Sequence, residues 1–120
     1  MAMSAVEICS AALLKLGAAS IRSFTEGSVE ADTASALYGP TRDSLLGCHP
    51  WSFANDGKAN EADFPNHFTC ALINRLAAEF CLPLTENTAR AELLFTLANT
   101  ELKLSKLIDD QPEARSGRGQ

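Results

Sequence analysis

Two histidines, four cysteines and one tryptophan are the side chains of this 120-residue chain best suited to metal binding, acid–base catalysis or ligand stacking. The cysteines are Cys9, Cys48, Cys70 and Cys81. Zinc-binding cysteines usually occur as closely spaced pairs, whereas these four lie far apart and no histidine stands at a ligand spacing. We therefore interpret them as small buried apolar residues in a reduced compartment, and predict no metal or cofactor site.

His49 and Trp51 belong to a helix-terminating motif, His49-Pro50-Trp51-Ser52-Phe53. A residue before proline is pushed out of the helical conformation, so a helix is expected to end at His49. Trp51 and Phe53 then supply two large apolar anchors for a structural corner. The alternative is a small-molecule pocket in which His49 is an acid or base and Trp51 stacks on a ligand. The core interpretation is favoured, and His67 is expected at the surface.

Motifs of the common enzyme classes are missing from the sequence. It contains no glycine-rich phosphate loop, no HExxH, no nucleophile elbow and no paired acidic motif typical of metal nucleases. The sequence therefore predicts no catalytic residue and a protein that is not an enzyme.

Four helices can be predicted from capping residues and apolar periodicity. The first begins at Ser4, where Glu7 completes a capping box, and ends at Gly17. The second begins near Ser28 and keeps its apolar phase through Pro40, so a kink is expected there rather than an end. The third opens at residues 64–66, ends at 82–83 and should be central because its surface is almost wholly apolar. The fourth begins at residue 85 or 87 and runs to about 108.

These elements predict an all-α fold, a small antiparallel bundle of about four helices in one domain over residues 1–108. Residues 109–120 have almost no apolar side chain and are expected to form a flexible arm that is disordered when free. No apolar run reaches the roughly 18 residues of a membrane helix, and no signal peptide is recognised at the N-terminus. No membrane association is expected.

The fourth helix carries two apolar stripes. The wider stripe comprises Leu93, Leu94, Leu97, Leu104, Leu107 and Ile108. The second comprises Ala91, Phe95, Ala98 and Leu102. A four-helix protomer readily buries one stripe, so we expect the wider one in the core and treat the second as a candidate subunit interface. For Phe95 and Leu102 a place in the core remains an equal alternative.

The formal net charge is −5, which argues against a surface that grips nucleic acid, because such binding relies on clustered lysine and arginine. The arm nevertheless contains Arg115 and Arg118 close to Pro112. They could contact nucleic acid or belong to a peptide that orders on a partner protein.

The chain resembles the head-tail adaptor (connector) proteins of tailed bacteriophages and gene transfer agents. The first helix is leucine-rich and ends in Leu-Gly over residues 13–17. Residues 38–43 match a Tyr-x-Pro-x-Arg-Asp break, residues 49–54 a His-Pro-Trp-x-Phe-Ala corner, and residues 75–79 an Arg-Leu-Ala-Ala-Glu segment. The likeness covers most of residues 4–108. Many relatives carry a longer, partly β-structured insertion after the corner, where this chain has only the short loop 55–63.

The resemblance implies a structural subunit of a phage neck, made in the bacterial cytoplasm and located in the virion. Such subunits form a ring, commonly a dodecamer, that joins the portal protein to the stopper or tail protein. DNA passes through the ring without sequence-specific binding. Because an arm docks on the portal in several members, Pro112, Arg115 and Arg118 are candidate portal-binding residues. The alternative from the residues alone is a small helical DNA-binding transcription regulator, although no helix is basic.

Overall fold

A computed structural model describes residues 2–111 and places four α-helices in them. They are α1 (Ala5–Lys15), α2 (Val29–Gly47), α3 (Asn66–Thr85) and α4 (Thr88–Asp109), with a short 3₁₀-helix at Glu61–Asp63. Within this part of the chain there is no β-strand, only an isolated bridge between Asn55 and Lys58. The predicted all-α fold of four helices is confirmed.

The ends of α1 follow from local hydrogen bonding, as the sequence predicted. Ser4 Oγ accepts the backbone N–H of Glu7 at 3.2 Å, and Glu7 Oε1 accepts the N–H of Ser4 at 2.8 Å. At the other end Gly17 has a φ of 74°, and the N–H of Ala18 reaches back to the carbonyl of Leu13. This combination is the Schellman motif, in which a left-handed glycine closes the helix.

Helix α2 continues through Pro40, as its apolar phase predicted. Ser28 Oγ caps its start by accepting the N–H of Ala31 at 3.0 Å. Pro40 is solvent-exposed, so the carbonyl that loses its helical donor lies on the wet side of the helix. The helix ends at Gly47, two residues before His49 and the corner.

Helix α3 is the central element, because it contacts each of the other three helices. Its inward residues Phe68, Leu72, Leu76 and Phe80 are fully buried. The predicted end at residues 82–83 is wrong: α3 includes Pro83 and ends only at Thr85. Glu86 stops it by adopting a left-handed conformation, φ 55°.

Two features of the fold correct the sequence predictions. Only Cys9 and Cys81 are buried; Cys48 and Cys70 are exposed, Cys48 because it follows the last residue of α2 and Cys70 because it lies on the outer side of α3. The predicted arm was to begin at residue 109, but Asp109 belongs to the last turn of α4 and is 1% exposed. Asp109 therefore belongs to the folded domain.

Candidate assembly surface and aromatic corner

The two apolar stripes of α4 face the opposite way from the prediction. Ala91 and Ala98 are buried inside the protomer, and Phe95 and Leu102 are half-buried. Ala91 and Ala98 therefore belong to the core, which corrects their assignment as a subunit interface, whereas Phe95 and Leu102 lie at its partly exposed edge. The physical reason is the small size of the alanines, which lets α4 approach α3 closely, whereas the leucine-rich side would hold the two helices further apart.

The outward surface of α4 is the leucine-rich stripe. Apart from Leu94, which is half-buried and packs against the core, its side chains are between 45% and 62% exposed. We call Leu93, Leu97, Leu104, Leu107 and Ile108 the leucine face. With the exposed Thr100, positions 93, 97, 100, 104 and 107 alternate in steps of four and three. This is the heptad spacing of a helix that packs along another helix, and it extends over about 21 Å.

Polar contacts fix which side of α4 turns inward. Arg90 donates to the carbonyls of Lys15 at 2.8 Å and Leu16 at 3.4 Å, at the end of α1. The Arg75 guanidinium lies over the Phe95 ring, 5.3 Å from its centroid. Arg75 also donates to Glu79 at 2.9 Å. Because these groups link α4 to both α1 and α3, the leucine face cannot rotate into the core without breaking them.

The aromatic corner is part of the core. Trp51 is 3% exposed, and its Nε1–H donates to the carbonyl of Leu45 at 2.8 Å. The rings of Trp51 and Phe53 each pack edge-on against Phe68, with centroids 4.9 Å apart in both cases. Pro50 is exposed at the outside of the turn. Trp51 therefore presents no free face on which a ligand could stack.

A row of polar groups joins the corner and α3 to the last turns of α4. His67 Nδ1 and Ser105 Oγ are 2.6 Å apart, and Ser105 is buried. One turn further along, Asp109 accepts hydrogen bonds from Ser52. The predicted surface position of His67 is thus a half-buried one with a buried partner.

His49 lies at the exposed end of this row. Its ring packs edge-on against Trp51 with centroids 4.7 Å apart. Its Nε2 is 3.1 Å from Asp110 Oδ1 and 3.7 Å from Asp109 Oδ2. The corner and the end of α4 are therefore tied together by side chains that the sequence separates by about 60 residues.

A cleft of about 480 Å³ lies on another side of the molecule, between α2 and loop 55–63. The hydroxyl of Tyr38 donates to Glu61 at 2.6 Å, and Arg42 pairs with both Asp43 and Glu61. Burial raises the pKa of Tyr38, and its hydrogen bond to Glu61 raises the pKa further. Burial also raises the pKa of Glu61, but hydrogen bonds from Tyr38, its own backbone and Arg42 outweigh that effect and leave the pKa below its ordinary value. This network anchors the loop to α2.

The remaining predicted residues, Pro112, Arg115 and Arg118, lie outside the described residues. Across residues 2–111 no helix is long and apolar enough to cross a bilayer.

Sequence reasoning did not identify Ser52, Asp109 or Asp110. The only available signal was a pair of adjacent aspartates at the end of the predicted fourth helix.

Comparisons with family models, curated proteins and solved structures found no match to this chain. A functional interpretation consequently depends on the motifs of the sequence and on the surfaces described above.

Proposed function

We propose that this chain is a non-enzymatic structural subunit of a phage neck. Its copies form a ring, for which a dodecamer is the expected size, between the portal protein of the DNA-filled head and the stopper or tail protein. The ring extends the DNA channel. The resemblance of residues 4–108 to head-tail adaptor proteins supports this proposal, and the structural observation that carries it is the leucine face of α4.

Five of the eight large apolar side chains that are exposed in residues 2–111 belong to the leucine face. Five branched side chains stand on one side of a single helix, each about half exposed or more. Contiguous apolar patches of this kind on small proteins mark interaction sites, because their burial releases ordered water. The heptad spacing favours a helix as the group that covers it. A neighbouring subunit would provide such a helix, since each copy has four in its described residues.

A ring requires two different surfaces on each subunit, because its contacts run head to tail. The leucine face is proposed as one of them. Other exposed large apolar residues lie on the remaining helices and are candidates for the receiving surface: Leu14 on α1, Val29 on α2 and Leu82 on α3.

The charge of the chain suits a conduit for DNA. Its formal net charge is −5, so a channel built from many copies would not bind the phosphate backbone tightly. DNA would pass without sequence-specific contact. The same charge counts against the alternative of a DNA-binding regulator.

Residues 112–120, with Pro112, Arg115 and Arg118, are proposed as the arm that docks on the portal.

Electron microscopy of the full chain mixed with the portal protein of the same genome tests the proposal. We expect a ring seated on the portal. The double variant Leu97→Glu/Leu104→Glu should abolish the ring, because it places charge in the leucine face. Asn99→Glu is the matched control: it adds charge to an exposed position of the same helix outside that face, and the ring should persist.

Failure of the chain to associate with the portal at any concentration would overturn the proposal. Salt-dependent binding of the chain to duplex DNA would instead support a transcription regulator. A truncated variant lacking residues 112–120 separates the two proposed contacts. It should still present the leucine face but bind the portal more weakly, and unchanged portal binding would remove the arm from the proposal.

A further inference from the structure

Three potential metal ligands converge where the corner meets the end of α4. They are His49 Nε2 and one carboxylate oxygen each from Asp109 and Asp110, all within 4.8 Å of one another. The imidazole nitrogen is 3.1 Å from the Asp110 oxygen and 3.7 Å from the nearer Asp109 oxygen. The sequence predicted no metal site, because none of its local motifs has a ligand spacing and His49 lies about 60 positions from the two aspartates.

We infer that His49, Asp109 and Asp110 form a binding site for a divalent transition metal of the zinc class. Zinc bonds to imidazole nitrogen and carboxylate oxygen are about 2.0–2.2 Å long, so tetrahedral ligand atoms lie about 3.4 Å apart. The two distances from His49 Nε2 lie on either side of this value. One imidazole with two carboxylates is a donor set that zinc and its neighbours accept. Half of the Asp110 side chain is exposed, which leaves a fourth position for water.

The electrostatics of the site favour a cation. Asp109 is 1% exposed. Within residues 2–111, His49 is the basic residue that lies within ion-pair distance of its carboxylate. An isolated buried carboxylate is costly unless its charge is balanced. Asp110 adds a second carboxylate, and the C-terminal end of α4 adds the negative end of a helix dipole. One imidazole faces these three sources of negative potential, and a divalent ion would balance them.

The surrounding groups hold the ligands in place. Ser52 donates its backbone N–H to one oxygen of Asp109 and its hydroxyl to the other, which fixes the carboxylate. Trp51 packs against the imidazole of His49. Such outer contacts orient ligands before the metal arrives, and so reduce the entropy lost on binding. When the metal binds, the lone pair of His49 Nε2 bonds to the ion, and the proton of the hydrogen bond between Nε2 and Asp110 is released to solvent.

The site would act structurally. It joins the corner that follows α2 to the end of α4, a short distance in sequence before residues 112–120. A bound ion would clamp this junction. The inference uses only the geometry of the three residues and does not depend on the proposed neck function.

Titration of the reduced full chain with Co²⁺ tests the site, because Trp51 is the sole tryptophan and lies against His49. A bound Co²⁺ ion should quench its fluorescence, saturating at one equivalent. EDTA should restore the signal, and Zn²⁺ should compete. The variants Asp110→Asn and His49→Gln should each bind Co²⁺ at least about tenfold more weakly. Asp110→Asn is isosteric and half exposed, so it should fold normally.

Cys48 is the matched control, since its exposed thiol is adjacent to His49 in sequence. Cys48→Ser should bind Co²⁺ as tightly as the native chain, without change in its visible spectrum. Loss of a thiolate-to-cobalt charge-transfer band in Cys48→Ser would assign the ion to the thiol and overturn the inference. Undiminished affinity in Asp110→Asn, or no quenching at millimolar Co²⁺, would overturn the inference. His49, Asp109 and Asp110 would then only contact one another and bind no metal.

Discussion

The carboxylate of Asp109 accepts two hydrogen bonds from Ser52, one from the backbone N–H at 2.9 Å and one from the hydroxyl at 2.6 Å. Ser52 lies in the corner after α2, and Asp109 lies in the last turn of α4. The pair therefore fastens the far end of α4 to the aromatic core. Together with the Arg90 contacts at the start of the helix, it keeps the alanine side of α4 inward and the leucine face outward.

Asp109→Ala should destabilise the protein by about 2–3 kcal/mol, because it leaves two donors of Ser52 without their acceptor in a largely buried place. Urea denaturation in the presence of EDTA, followed by Trp51 fluorescence, measures the change. Asp110→Ala is the control; its partly exposed carboxylate should contribute about 1 kcal/mol or less. Equal effects of the two substitutions would show that the Ser52 contact is not a main stabilising feature.

Leu97→Glu/Leu104→Glu should leave the free energy of unfolding of the protomer within about 1 kcal/mol of the native value. Both side chains are about half exposed and make few core contacts, so their loss removes little buried surface. Thermal melting of dilute protein gives the measurement. A large loss of stability would mean that the leucine face already packs within the protomer.

Phe95→Asp/Leu102→Asp should instead destabilise the protomer by roughly 2–4 kcal/mol. Phe95 packs against Arg75, and Leu102 packs against the core cluster, so the two charges would enter the α3–α4 interface. The same melting experiment provides the comparison. A native-like melting temperature would return these residues to the role of a free surface.

Glu61→Gln should remove part of the acid sensitivity of the protein. The pKa of Glu61 is lowered in the folded state from its ordinary value of 4.5, so the ionised carboxylate stabilises the fold fully above that pH. This contribution is lost as the pH falls through the lowered pKa. The stability difference between the native chain and Glu61→Gln should therefore shrink below about pH 4.5. Urea titrations at neutral and acidic pH test this, and a constant difference would exclude Glu61 as a contributor.

Two of the four cysteines should react rapidly with a thiol reagent in the native protein. Cys48 and Cys70 are exposed, whereas Cys9 and Cys81 are buried, and burial raises the pKa of Cys9 to about 12. Its thiolate, the reactive form, is therefore scarce at neutral pH. Counting reactive thiols before and after denaturation should give two and then four. Rapid reaction of all four would indicate frequent opening of the core.

The helices and their local ends were determined largely by the sequence. The capping box of Ser4 and Glu7, the left-handed Gly17 and the Ser28 cap each depend on residues within one turn of one another, so short-range chemistry specifies them. The end of α3 was harder to predict. Pro83 removes only one N–H donor from the last turn, and the chain stays helical until Glu86 adopts a left-handed conformation.

Only the tertiary structure decided which side of α4 is buried. Both stripes are apolar, and hydrophobicity alone favoured the leucines for the core. The close approach of α4 to α3 needs small residues, and the links from Arg90, Arg75 and Asp109 select the alanine side. The meeting of His49 with Asp109 and Asp110 was equally hidden, because residues about 60 positions apart come together only when the corner and the end of α4 pack against the same core.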